Sequence, residues 1–184
     1  MIIAKLENKD VEELTLNFKN ALGEVIQYNT TYFEDLERLE TITLNGFDVN
    51  NDLIEKLNCL EKLKIIIFNH CKFICDDKLK NDIENIIITY SNIAHSNIFE
   101  EQEKIKTIEL IGIDEVDINN LTEMKNLEEI SIYNSKIKNS KKISDFANLK
   151  VLRLDGSLVD EPNFRDLIDN NIEFSYNEKF YLEG

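Results

Sequence analysis

The sequence predicts an α/β solenoid, a coil whose short strands form a parallel sheet on one side and whose short helices or 3₁₀ turns line the other. Three observations predict it. One apolar phrase recurs six times: Leu39-x-x-Ile42-x-Leu44, Leu60-x-x-Leu63-x-Ile65, Ile83-x-x-Ile86-x-Ile88, Ile105-x-x-Ile108-x-Leu110, Leu127-x-x-Ile130-x-Ile132 and Leu149-x-x-Leu152-x-Leu154, with starts about 22 residues apart. Within each phrase, positions 4 and 6 are aliphatic and the residues between them vary, which is the period of a strand with one buried face. Between phrases, apolar residues step by threes and fours, the period of a helix.

The elements follow in order. Residues 1–38 form an N-terminal cap and first strand, around the weaker copy Val11-x-x-Leu14-x-Leu16, with a hairpin expected between Leu14–Phe18 and Val25–Tyr28. Thr31-x-x-Glu34 has the pattern of a capping box leading into Leu36 and Leu39. Residues 39–171 carry the six repeats. In the second, Leu63 and Ile65 are read as inward, and Lys62, Lys64 and Ile66 as outward. Leu53, Leu57 and Leu60 make one helical stripe; Ile118, Leu121, Met124 and Leu127 step by threes, as in a 3₁₀ helix. Asp52, Asp76, Ser96, Asp117 and Ser140 are the expected N-caps, and Asp160 before Pro162 reads as a further helix entry. Residues 172–184 close the array with a strand through Ile172, Phe174 and Tyr176, followed by Phe180, Tyr181 and Leu182. Coils of this length account for nearly all of the 184 residues, so 1–184 is read as one repeat domain with no catalytic domain beside it.

Composition narrows the function classes. A net charge of −15 opposes binding to the phosphate backbone of nucleic acid and to anionic membrane surfaces. It favours encounter with a basic protein. No apolar run is long enough to span a bilayer, and Met1–Glu7 lacks a secretion signal, so a cytoplasmic location is expected unless the chain is a secreted fragment. Cys59, Cys71 and Cys75 are an odd set and read as free thiols. His70, Cys71 and Cys75 lie close together, but no second ligand pair follows as a zinc site requires, so no metal or cofactor is expected. The two histidines, His70 and His95, stand in no nucleophile motif, and no Gly-rich phosphate loop occurs. The chain is therefore read as a non-enzyme.

The six phrases resemble leucine-rich repeats, above all the short bacterial, internalin-like type, over about residues 36–176. That resemblance implies a right-handed coil with its parallel sheet on the concave side and a protein ligand bound there. One departure stands out. The family places Asn three residues after position 6, whereas this chain reads Phe47, Phe68, Ser91, Ile113, Ser135 and Ser157 there, with Asn69, Asn92 and Asn134 one residue away.

On this register the outward positions of the middle coils are apolar. Ile66, Ile87, Ile111 and Tyr133 are expected side by side across successive strands, rimmed by Lys64, Glu109 and Arg153. These seven residues are the candidate partner-binding set of a protein-interaction module expected to be a monomer. Tyr90 and Ile67 lie close by with their orientation open. The alternative is an acidic inhibitor or immunity-type protein that neutralises a basic protein through charge. A self-associating structural piece is a third reading.

Overall fold

A computed structural model describes residues 2–4, 10–19, 22–28, 33, 35–93, 98–99, 102–160 and 172–177. The strands are β1 (Ile2–Ala4), β2 (Glu13–Asn17), β3 (Ile26–Tyr28), β4 (Thr41–Asn45), β5 (Asp48–Val49), β6 (Ile65–Asn69), β7 (Lys72–Phe73) and β8 (Asn85–Thr89). They continue as β9 (Thr107–Ile111), β10 (Val116–Asp117), β11 (Glu129–Tyr133), β12 (Lys136–Lys138), β13 (Val151–Arg153), β14 (Leu158–Val159) and β15 (Glu173–Ser175). Among the described residues, the α-helix α1 (Asn51–Asn58) and the 3₁₀ segments Ile118–Leu121 and Ser140–Asp145 lie between them.

One long sheet organises the molecule: eight parallel strands in the order β15-β13-β11-β9-β8-β6-β4-β2, one from each coil. Among the described residues, five coils then make a second, shorter strand. These pair as β5-β7 and as β10-β12-β14. Inward side chains stack between the two layers, so Leu44, Phe68, Ile88, Leu110, Ile132 and Leu154 are all fully buried. A coil of this length cannot cover its own apolar side, and adjacent coils cover it instead. The fold is a leucine-rich-repeat solenoid.

The second repeat corrects the sequence-based register. Both Leu60-x-x-Leu63-x-Ile65 and Leu63-x-x-Ile66-x-Phe68 fit the phrase, and the chain adopts the latter. Ile66 and Phe68 are fully buried, and Ile65 and Ile67 point outward. The choice buries an aromatic ring that packs edge-on to Phe73, 4.9 Å between centroids, and it sets Asn69 opposite Asn45. Leu60 instead occupies the position that Leu36 and Met124 hold in their coils, one turn earlier. Lys62 and Lys64 precede the strand. Phrases therefore start 24 residues apart between Leu39 and Leu63, 20 between Leu63 and Ile83, and 22 thereafter. In the last strand Phe174 pairs with Leu152, so Glu173 and Ser175 align with Val151 and Arg153.

The backs of the coils vary. Asn50, not Asp52, caps α1, accepting from the Leu53 N–H at 2.9 Å; Asp52 lies in the first turn and pairs with Lys56. Asp117 caps its 3₁₀ segment as expected, accepting from the Asn119 N–H at 2.9 Å. At Ser140 the cap comes from the next coil: Asp160 Oδ1 accepts from the Ser140 N–H at 3.1 Å and from its hydroxyl at 2.7 Å. Asp76 starts no helix; residues 74–80 are irregular, tied by amide side chains such as Asn58, which donates to the Lys78 carbonyl and accepts from the Lys80 N–H.

At the N-terminus β3 runs parallel to β1, and only one antiparallel bridge, Lys19 to Val25, stands where the hairpin was expected. The expectations at Thr31, Glu34, His95, Ser96, Pro162, Phe180, Tyr181 and Leu182 fall outside the described residues. Among the described residues no helix is long and apolar enough to cross a membrane.

Candidate functional site

Alternation along the eight strands projects every second side chain away from the core, and the parallel register aligns these outward side chains into three rows. The middle row reads Thr15, Thr43, Ile67, Ile87, Glu109, Ser131, Arg153 and Ser175. The row at the strand ends reads Asn17, Asn45, Asn69, Thr89, Ile111 and Tyr133.

The face divides by chemistry. Towards the N-terminus, Asn45 Nδ2 donates to Asn17 Oδ1 at 2.8 Å, Asn69 Nδ2 to Asn45 Oδ1 at 3.1 Å, and the Thr89 hydroxyl to Asn69 Oδ1 at 2.5 Å. This is a ladder of amides across four strands. Next comes an aliphatic belt: Ile65 and Ile67 on β6, Ile87 on β8, and Ile111 in register with Tyr133. All five are part-exposed. Beyond it, Arg153 reaches both Glu129 and, at 3.0 Å, Glu173. The Ser175 hydroxyl donates to Asp155 at 2.7 Å. Both carboxylates raise the Arg153 guanidinium above its ordinary value, against the opposing cost of desolvation.

The six inner coils, β4 to β13, leave the long sheet through a left-handed residue: Gly46, His70, Tyr90, Gly112, Asn134 and Gly156, with φ from 48° to 75°. Gly tolerates this region, and Asn and His enter it more readily than other side chains; Tyr is disfavoured there. Two of the glycines also make room for the preceding coil. A Cβ on Gly112 would lie 2.5 Å from the Tyr90 ring, and one on Gly156 would lie 2.6 Å from Asn134 Oδ1. His70 and Tyr90 stack with centroids 5.2 Å apart and planes 13° apart, and Tyr90 remains 58 % exposed.

Directly after that corner lies the position where the family carries Asn. With the corrected register it holds Phe47, Cys71, Ser91, Ile113, Ser135 and Ser157. Here buried hydroxyls replace the amide. Ser91 Oγ accepts from the Cys71 N–H at 2.8 Å and donates to the Thr89 carbonyl; Ser135 Oγ accepts from the Ile113 N–H at 3.0 Å and donates to the Tyr133 carbonyl. Ser157 Oγ accepts from the Ser135 N–H at 3.2 Å and donates to the Ile132 carbonyl. Cys71 joins the series, its thiol donating to the Leu44 carbonyl at 3.3 Å, and burial pushes that thiol above its ordinary value. Asn69 and Asn134 serve instead in the outer ladder and at the corner.

Of the seven candidate contact residues, the structure brings Ile87, Glu109, Ile111, Tyr133 and Arg153 onto one face. Ile66 does not belong there: it is fully buried, because the phrase in its coil is shifted. Lys64 sits just ahead of β6 on the rim, 3.4 Å from Glu40. The sequence reading missed Ile65 and the amide ladder and left Ile67 unassigned. A four-residue apolar run, Ile65–Phe68, hides its own register; the recurrence of Asn at 17, 45 and 69 was the signal that would have resolved it. Away from this face, a cavity of about 310 Å³ lies between residues 78–82 and 102–104, lined by lysines and carboxylates of both coils. Among the described residues, Asn81 Oδ1 is buried there without a hydrogen-bond partner.

No family model matches the chain. Among solved structures it is similar to an internalin C2 from Listeria monocytogenes, at 14% identity and a TM-score of 0.44, over 78% of this chain and 71% of that one.

Proposed function

We propose that the chain is a non-enzymatic protein-interaction module that binds its partner on the outward face of the long sheet. One observation carries the reading: Ile65, Ile67, Ile87, Ile111 and Tyr133 form a contiguous apolar belt on three rows of one rigid face, bounded by amides on one side and by an ion-pair network on the other. An apolar centre inside a polar rim is the usual anatomy of a protein contact surface. The test is association of the wild type and of a folded Ile87→Glu/Ile111→Glu variant with the partner, at low and high salt. Retained binding by the variant would refute the reading.

The net charge of −15 favours a second reading, an acidic inhibitor of a basic protein. That reading predicts association that falls steeply with salt, whereas an apolar belt predicts modest dependence.

A further inference from the structure

Glu109 borders the apolar belt directly. It is the central residue of β9, in register with Ile87 on one side and Ser131 on the other, and it shares its strand face with Ile111. Ser131, though outward, is only 4 % exposed, so its larger neighbours close over it. The other charges on the inner strands of this face are engaged: Arg153 with Glu129 and Glu173, Asp155 with the Ser175 hydroxyl. Among the described residues no cation lies within ion-pair distance of the Glu109 carboxylate.

We propose that Glu109 is the receptor for an arginine on a basic, apolar-flanked segment of the partner. The inference rests on the sheet-face reading above and names its chemistry. A partner that covers Ile87, Ile111 and Tyr133 also reaches Glu109, which adjoins Ile87 across the strands and Ile111 along its own strand. A carboxylate removed from water without a counter-charge opposes binding, whereas a paired one in a drier site attracts more strongly than in water. The surroundings select arginine over lysine. Its aliphatic stem matches Ile87 and Ile111, and its planar guanidinium can bond the carboxylate in a fork while lying on the Tyr133 ring. The overall negative charge steers such a segment in. The corner adds an independent sign. Tyr90 holds a left-handed φ of 48°, a conformation that tyrosine rarely adopts, and its ring lies across Gly112, which directly follows the strand of Glu109. Backbone strain of this kind collects at binding sites.

The probe is a displayed library of random short peptides, panned in parallel on wild type, Glu109→Gln, Glu109→Arg, Ile111→Asp and, as a control, Glu55→Gln on the exposed face of α1. All are first shown to be folded by circular dichroism and thermal melting. We expect the wild-type pool to converge on arginine flanked by aliphatic or aromatic residues. Those peptides should bind Glu109→Gln about tenfold or more weakly, bind Glu55→Gln unchanged, and be replaced by acidic peptides on Glu109→Arg. Peptides that need Ile111 but show no cation preference and ignore Glu109→Gln overturn the Glu109 assignment and leave the sheet-face reading standing. Lysine enriched equally with arginine overturns the choice of arginine. Peptides indifferent to both positions, or no enrichment at all, overturn the assignment and the sheet-face reading together.

Discussion

At the residue scale, small polar groups inside the coils define where the chain turns. Ser135 accepts from the Ile113 N–H, and both residues are buried, so Ser135→Ala strands a donor away from water. We expect a loss of about 1–3 kcal/mol in denaturant unfolding, and a smaller loss would mean that water or a backbone shift supplies the missing acceptor. Gly112 carries two constraints, its φ of 62° and the Tyr90 ring against it. Gly112→Ala should cost about 1–2 kcal/mol for the backbone alone, with more from the ring contact. Repeating the substitution in a Tyr90→Ala background should recover the ring contribution only, which a double-mutant cycle measures. The buried Ser column was legible as residue types at 91, 135 and 157. Its role was not, because a serine's partners depend on which neighbouring coil its hydroxyl reaches, and that follows from register.

At the scale of the element, register is what the sequence left ambiguous, and it can be tested directly. Ile66→Ala should destabilise by about 2–5 kcal/mol, and Ile65→Ala, on the outer face, by clearly less. The reverse order would restore the Leu60-x-x-Leu63-x-Ile65 reading. Five phrases were legible outright from aliphatics at the three phrase positions; the phrase of the second repeat failed because the four adjoining apolar residues Ile65–Phe68 fit two registers. The corrected register also aligns the residue before each strand into a rim column: Glu40, Lys64, Glu84, Lys106, Glu128 and Lys150. Opposite charges face each other at 3.4 Å (Lys64–Glu40), 3.9 Å (Lys106–Glu84) and 2.5 Å (Lys150–Glu128). Where two glutamates adjoin, at Glu12 and Glu40, Arg38 engages Glu12 and Asp10. Lys150 donates a hydrogen bond to Glu128 and adds its charge, holding that carboxyl below its ordinary value. Its stabilising effect is therefore full above the ordinary glutamate value of about 4.3 and is lost as pH falls through the lower folded value. Lys150→Met should flatten the acid limb of the stability–pH curve below about pH 4, and an unchanged limb would show the pair to be inert.

At the scale of the whole molecule, 36 acidic side chains against 21 basic ones mean that self-repulsion works against the compact state, while each exposed rim pair stabilises little. We expect the unfolding midpoint to rise between about 0.1 M and about 1 M sodium chloride, where the screening length shrinks from about 10 Å to about 3 Å. A midpoint that falls would mean that the ion pairs outweigh the net charge. The architecture was legible from the sequence because a solenoid repeats its instruction in every coil. The outward face was only partly legible, since little recurs there beyond the alternation and the Asn at 17, 45 and 69. The rim column has a consequence for how such an array can grow. Its charges have a parity: duplicating one coil would seat a glutamate beside a glutamate or a lysine beside a lysine, and like charges facing each other across adjacent strands repel. Duplicating two adjacent coils preserves the alternation. From Glu40 to Lys150 the charge pattern of this edge therefore repeats every two coils, although the structure repeats every coil.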